Sequence, residues 1–206
     1  MAVVCDGLGS RSHAAAGSRA ACRAVAEAVR HWARIPDAPP DLLLRLVHAL
    51  WNVRVHPTGR HDSATTCLFA ATSGDGRLVL AQLGDGLILL KTPQGMTTLE
   101  PPSDRFGNAT TGLGIAKDLR DWRLHVEPAI TGDTMVMLAT DGVADDLLPD
   151  KRGPFMRFLV DHHGRFPAAQ RSRAVARSLR EWPTPRHLDD KTVAVLWRAA
   201  PVEIIS

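Results

Sequence analysis

Three aspartates of this chain stand in the same local setting. Asp6 ends the apolar run VVC and precedes Gly7, Asp141 follows VMLAT and precedes Gly142, and Asp189, in HLDDKT, stands just ahead of VAVLW. An apolar run that stops at an acid and a glycine reads as a buried strand entering a tight turn. Each carboxylate then sits at a strand end, where all three can reach one pocket at the edge of a sheet. Glycine beside the acid lets the backbone come close to a ligand and exposes its carbonyl. Carboxylates that converge raise one another's pKa unless a cation neutralises them. A donor set made only of oxygen suits Mg2+ or Mn2+ better than zinc. Two such ions can share a water, lower its pKa and hold it for in-line attack on phosphorus, with no covalent enzyme intermediate. The competing reading is that Asp–Gly is a common turn pair, as at Asp75–Gly76. The residues alone leave both open: a metal site in an α+β domain, or unrelated turns.

The elements that would position these acids follow from the periodicity. Strand-like Ala2 to Cys5 leads into a turn, and Ser12 to Ala33 is helical, with Ala21, Val25 and Trp32 on one side. Prolines stop that helix and open a second from Pro40 to about Val55. The period then changes. TTCLFAAT, RLVLAQL and LILLK are three short strands separated by Asp–Gly turns, an antiparallel meander. Residues from about 92 to 130 are the least regular, and PPSDRFGNATTGLG reads as loop; Trp122, Leu124 and Val126 alternate as a strand. TMVMLA is a strongly apolar strand, helices are expected at roughly Gly153 to His162 and Pro167 to Trp182, and a last strand follows HLDDKT. With no repeat or linker, residues 1–206 are expected to form one domain of α+β layers rather than regular βαβ winding.

Composition excludes several classes. Apolar residues make up 45% of the 206 and charged residues 23%, as in ordinary globular proteins. No apolar run approaches a membrane span and no basic, apolar leader is found, so the expected location is the cytoplasm. The net charge is only +3, with arginines scattered beside acids and no aromatic ladder among them. Nucleic-acid binding would call for a concentrated basic face, and none is expected. Cys5, Cys22 and Cys67 are too widely spaced for a disulfide framework or a CxxC metal pair, and are read as buried or half-buried free thiols. His13 reads as a helix-start surface residue, and the adjacent His162 and His163 as solvent-exposed.

In order, VVCDGLGSRSHAAAGSRAA, DSATTCLFAA, LVLAQLGDGLILL, VMLATDGVADDLLP and HLDDKTVAVLWR resemble the metal-dependent serine/threonine phosphatases of the PP2C type (the PPM family), bacterial branch. The resemblance implies a four-layer αββα sandwich, two antiparallel sheets flanked by helices. It also implies hydrolysis of phosphoserine and phosphothreonine in proteins with two Mn2+ or Mg2+ ions. On that resemblance Asp6 bridges both metals, the Gly7 carbonyl is a ligand to the first, and Asp141 and Asp189 complete the second. Asp85, in LGDG, falls where the family can hold a third ion, with Gly84 and Gly86 serving the turn. Asp190 and Thr192 orient the ligands from outside, and Thr65 and Thr66 are structural supports. Residues 92–118, with Asn108, Thr110 and Thr111, align with a variable flap near the pocket. The partners implied are a phosphorylated protein substrate and a cognate serine/threonine kinase.

The family also has, upstream of its first Asp–Gly, a strand, a phosphate-gripping arginine and an acidic residue or pair. Five residues precede Asp6 here, and none is Arg, Asp or Glu. The expectation is therefore an N-terminally shortened PP2C-like core with a weakened metal shell. An exposed sheet edge beside the first helix is expected to favour self-association. The alternative expectation is a non-catalytic, phosphoprotein-binding regulatory relative.

Overall fold

The computed structural model of the chain describes residues 1–101, 111–130, 132–182 and 189–198. Its strands form two antiparallel sheets of four. In the first, β1 (Ala2–Val4) pairs with β2 (Cys67–Thr72), β2 with β3 (Leu78–Leu83), and β3 with β6 (Arg123–Glu127). In the second, β5 (Gly95–Leu99) pairs with β4 (Leu87–Thr92), β4 with β7 (Thr134–Ala139), and β7 with β8 (Val193–Arg198).

The layering follows from strands that are apolar on both faces. β2, β3, β4 and β7 are almost wholly buried, so neither face can be left to water. Leu68, Ala70 and Leu80 meet Ile88, Leu90 and Leu138 between the sheets. The alternate residues of the first sheet, among them Phe69 and Val79, pack under α1 (Ala14–Trp32) and α2 (Pro40–Val55) through Val25, Trp32, Val47 and Trp51. On the far side, Leu89 and Met137 are covered by Val143, Met156 and Leu159, from α3 (Asp141–Ala144), α4 (Pro149–Phe158) and the π-helical turn Leu159–His163. α5 (Ala168–Arg180) lies in the same outer layer. This is the αββα sandwich expected from the sequence.

α1 is held very close to the loop before β2. A Cβ on Gly17 would lie 1.8 Å from the Ser63 carbonyl oxygen, and the Gly17 carbonyl accepts a hydrogen bond from Trp51 Nε1 at 3.1 Å. The loop that leads from Asp6 into α1 is thereby fixed from both ends, since His13 N–H donates to the Asp62 carbonyl at 2.9 Å.

Two expectations need correction, for β5 and for His163. β5 lies within the stretch read as least regular; its sequence, GMTTL, has no apolar alternation because only Leu99 is buried on this edge strand. β6 forms as expected, but Leu124 and Val126 are 39% and 37% exposed. They face the helical side of the sheet on an edge strand that the helices leave partly uncovered. His163, expected in solvent, is buried at 3% exposure. β1 and β8 are edge strands on the same side of the sandwich. Among the described residues, no helix is long and apolar enough to cross a membrane.

Candidate metal-binding site

Two hydrogen-bonded supports fix where the acids point. Asp6 leaves β1 with both backbone groups engaged. Its N–H donates to Thr66 Oγ1 at 2.9 Å, and its carbonyl accepts from Thr65 Oγ1 at 2.7 Å and from Thr66 N–H at 2.8 Å. Thr65 and Thr66 are both buried, so the threonine pair is a support for the Asp6 backbone, as the sequence suggests. Gly7 bridges to Thr65 beside it.

The second support is Thr140, which the sequence reading passed over. Its N–H donates to the Thr192 carbonyl at 3.0 Å, and its Oγ1 accepts from Thr192 N–H at 3.0 Å and donates to the Asp190 carbonyl at 3.2 Å. The hydroxyl thus ties the start of α3 to the loop that carries Asp189. Asp190 and Thr192 act in this arrangement through their backbones. Asp190 N–H also donates to Asp189 Oδ1 at 3.1 Å, which turns that carboxylate. Gly142 makes the closeness possible: a Cβ there would stand 2.7 Å from the Asp190 carbonyl oxygen and 3.3 Å from Asp189 Cβ. Gly142 N–H caps Asp141 Oδ1 at 2.8 Å.

These loops bring the predicted acids to one end of the sandwich. Burial, then the negative charges of Asp141, Asp189 and Asp190, push the Asp6 carboxyl up to about 6. Burial also raises Asp141, with Asp189 and Asp85 adding to it against the opposing Gly142 N–H. Asp6 and Asp141 are close enough to act on each other, so the two carboxyls titrate as a pair and burying both as anions is unfavourable. Asp85 reaches the group from the β3–β4 turn, where Gly84 and Gly86 take φ of +97° and +112°, in the left-handed region that disfavours a side chain. The site is therefore a set of acids under mutual repulsion, with oxygen donors only. That chemistry fits a hard divalent cation. Among the described residues, however, no three His, Cys, Asp or Glu side chains are arranged to hold a metal ion as they stand. Asn108 and Thr110 lie outside the described residues.

Other neighbours of the site carried little or no sequence signal. Lys191, unusual for the motif, reaches back 3.6 Å to Asp146, with both side chains nearly buried. The three cysteines meet directly behind Asp6. Continuing the β1–β2 register sets Cys5 opposite Cys67, and α1 lays Cys22 beside Cys5. All three are free thiols, and contact with Cys5 together with burial holds the Cys22 thiol well above the ordinary range.

Comparison with known proteins gives a consistent frame. Residues 1–182 match the family model described as Protein phosphatase 2C. Curated proteins show no match in sequence. Among solved structures, the Mycobacterium tuberculosis serine/threonine phosphatase PstP/Ppp is 20% identical, with a TM-score of 0.59 over 97% of this chain and 88% of that one. The catalytic domain of PstP in complex with two manganese ions is 19% identical, with a TM-score of 0.60 over 95% of this chain and 85% of that one. The S. agalactiae serine/threonine phosphatase is 16% identical, with a TM-score of 0.61 over 96% and 86%. At these identities the structures bear on the fold, while the family match spans most of the sequence. The chain belongs to the protein phosphatase 2C family.

Proposed function

We propose that this protein hydrolyses phosphoserine and phosphothreonine in proteins, using Mn2+ or Mg2+ held by Asp6, the Gly7 carbonyl, Asp141 and Asp189. The observation that carries the reading is the convergence of Asp6, Asp141 and Asp189 into one repelling group, with Asp6 raised to about 6. Aspartates that only closed turns would have no reason to face one another. When bound, the metal supplies a water of lowered pKa and charge to balance the phosphoryl oxygens. Asp6 would hold a metal as the carboxylate, and the backbone bonds to Thr65 and Thr66 would keep it from swinging away. Thr140 and the Asp190 N–H keep Asp189 in reach. Asp85, whose charge reaches Asp141, would help hold a third ion. The substrate is a phosphorylated protein, which implies a serine/threonine kinase that made it.

A second reading is a regulatory relative that binds phosphoprotein without turnover. It is favoured by one observation: the described acids are not preassembled into a metal cage. The two separate in an assay on p-nitrophenyl phosphate and a phosphothreonine peptide. The first reading expects turnover only with Mn2+ or Mg2+, lost with EDTA and in Asp141→Asn. Metal binding with no turnover supports the second, and turnover indifferent to EDTA overturns both.

A further inference from the structure

α5 carries an apolar stripe, with Ala168, Val175, Ala176 and Leu179 at helical spacing. Such a stripe normally presses on the sheet beneath it. Here only Leu179 of the helix is buried, and the outward residues of β8, Val193 and Val195, are half-buried. Between helix and strand lies a cavity of about 870 Å³, bounded also by Leu159, His163 and the Asp189–Thr192 loop. Its size falls within the ~300–1,000 Å³ usual for small-molecule sites, which are largely apolar with a few convergent polar groups.

Among the described residues, two side chains in the wall each keep one buried nitrogen without a hydrogen-bond partner. His163 is 3% exposed; its Nε2 lies 3.4 Å from Ser178 Oγ, and its Nδ1 makes no hydrogen bond. Arg171 spends one terminal nitrogen on the carbonyls of Gly164 and Phe166, each at 3.2 Å, and lays its guanidinium 5.0 Å over the Trp197 ring. Its buried Nε has no partner among the described residues. Among the described residues, none of the ion pairs includes Arg171. Buried polar atoms left unpaired are costly, so a site that keeps two of them beside a cavity is one that gains from an acceptor. Charge fixes the direction. Arg171 stands over Trp197 in the second half of β8, whereas Asp189 and Asp190 precede that strand, so an anion at Arg171 meets the cationic part of the wall.

We infer that this cavity binds an anionic amphiphile: an apolar chain or ring system bearing one carboxylate, which sits at Arg171 and His163 while the apolar body lies along Val175, Leu179, Val193 and Val195. A cationic head would meet Arg171, and a fully polar ligand would leave the apolar walls uncovered. The inference does not depend on phosphatase activity.

Calorimetric titration with sodium decanoate below its micelle concentration tests it, with decanol and decyltrimethylammonium as comparisons. Saturable decanoate binding is expected, tighter than decyltrimethylammonium. Arg171→Met should weaken decanoate by about ten-fold or more and leave decanol binding unchanged. Ala176→Trp, which fills the cavity from the helix side, should abolish both. Thermal melts establish that each variant folds, and Val175→Phe fills the same space if Ala176→Trp does not. No saturable decanoate binding by the wild type, equal or tighter binding of decyltrimethylammonium, or decanoate affinity untouched by Arg171→Met would each overturn the proposal.

Discussion

Replacing Asp6 by asparagine should stabilise the metal-free protein at neutral pH and, in the same protein, remove its response to metal. The folded state raises the Asp6 carboxyl from 3.8 to about 6. Its protonated form is thus favoured by folding. The stability linked to that proton is fully present below about pH 4 and is lost as pH rises through about 6. A shift of this size corresponds to roughly 3 kcal/mol at ~1.4 kcal/mol per unit. Asp6 is only partly buried, and solvent screening reduces the figure to about 1–2 kcal/mol. Without metal at pH 7.5, Asp6→Asn should therefore melt roughly 2–8 °C above the wild type for a chain of this length. With Mn2+ at about a hundredfold over its Kd, the wild type should gain ~2.7 kcal/mol and the variant little, so the order of the two reverses. Thermal and urea melts at pH 4, 5, 6 and 7.5, in EDTA and in Mn2+, read both effects. The reasoning fails if the metal-free variant is no more stable than wild type at pH 7.5. It also fails if their difference does not shrink as pH falls towards 4.

Three further outcomes are expected. Gly142→Ala would place a methyl 2.7 Å from the Asp190 carbonyl oxygen, displacing the loop of Asp189; Mn2+ titration should show affinity lowered by about 10-fold or more while the urea midpoint moves far less than for a core substitution. Thr66→Val removes the acceptor of Asp6 N–H and should cost about 1–2 kcal/mol in urea unfolding, with weaker metal binding because the Asp6 backbone is freed. Gly17→Ala puts Cβ 1.8 Å from the Ser63 carbonyl oxygen, a backbone clash that α1 can relieve only by moving off the sheet. It should destabilise by about 2–4 kcal/mol, and a midpoint within error of wild type would mean the helix is not seated as described.

What could be read in the sequence depended on whether the signal was local. α2 runs from Pro40 to Val55, as expected, because a proline is a good first helical residue and the apolar period continues to Val55. β5 escaped because an exposed edge strand needs no apolar alternation, only a neighbour to pair with, and that neighbour, β4, supplies the ladder. The candidate site divides along the same line. Asp6 and Asp141 announce themselves by a strand that ends in acid and glycine, and Asp189 by standing just ahead of one, whereas Asp85 comes only with the family resemblance; the structure brings the four into one group. Thr140 makes no such announcement, since a threonine at the end of an apolar strand is ordinary until a loop some fifty residues on folds back onto its hydroxyl. Cys5 and Cys67 are in the same situation: they stand sixty-two positions apart, and only the β1–β2 register makes them neighbours. His163 reads as surface because adjacent histidines on a helical turn diverge and cannot ligate together, yet that same divergence turns this one inward while His162 stays exposed. The groups hidden from the sequence are therefore those whose role is to join distant segments. In this molecule they hold the candidate metal loop against α3, and leave the inner wall beneath α5 with two polar atoms unpaired among the described residues.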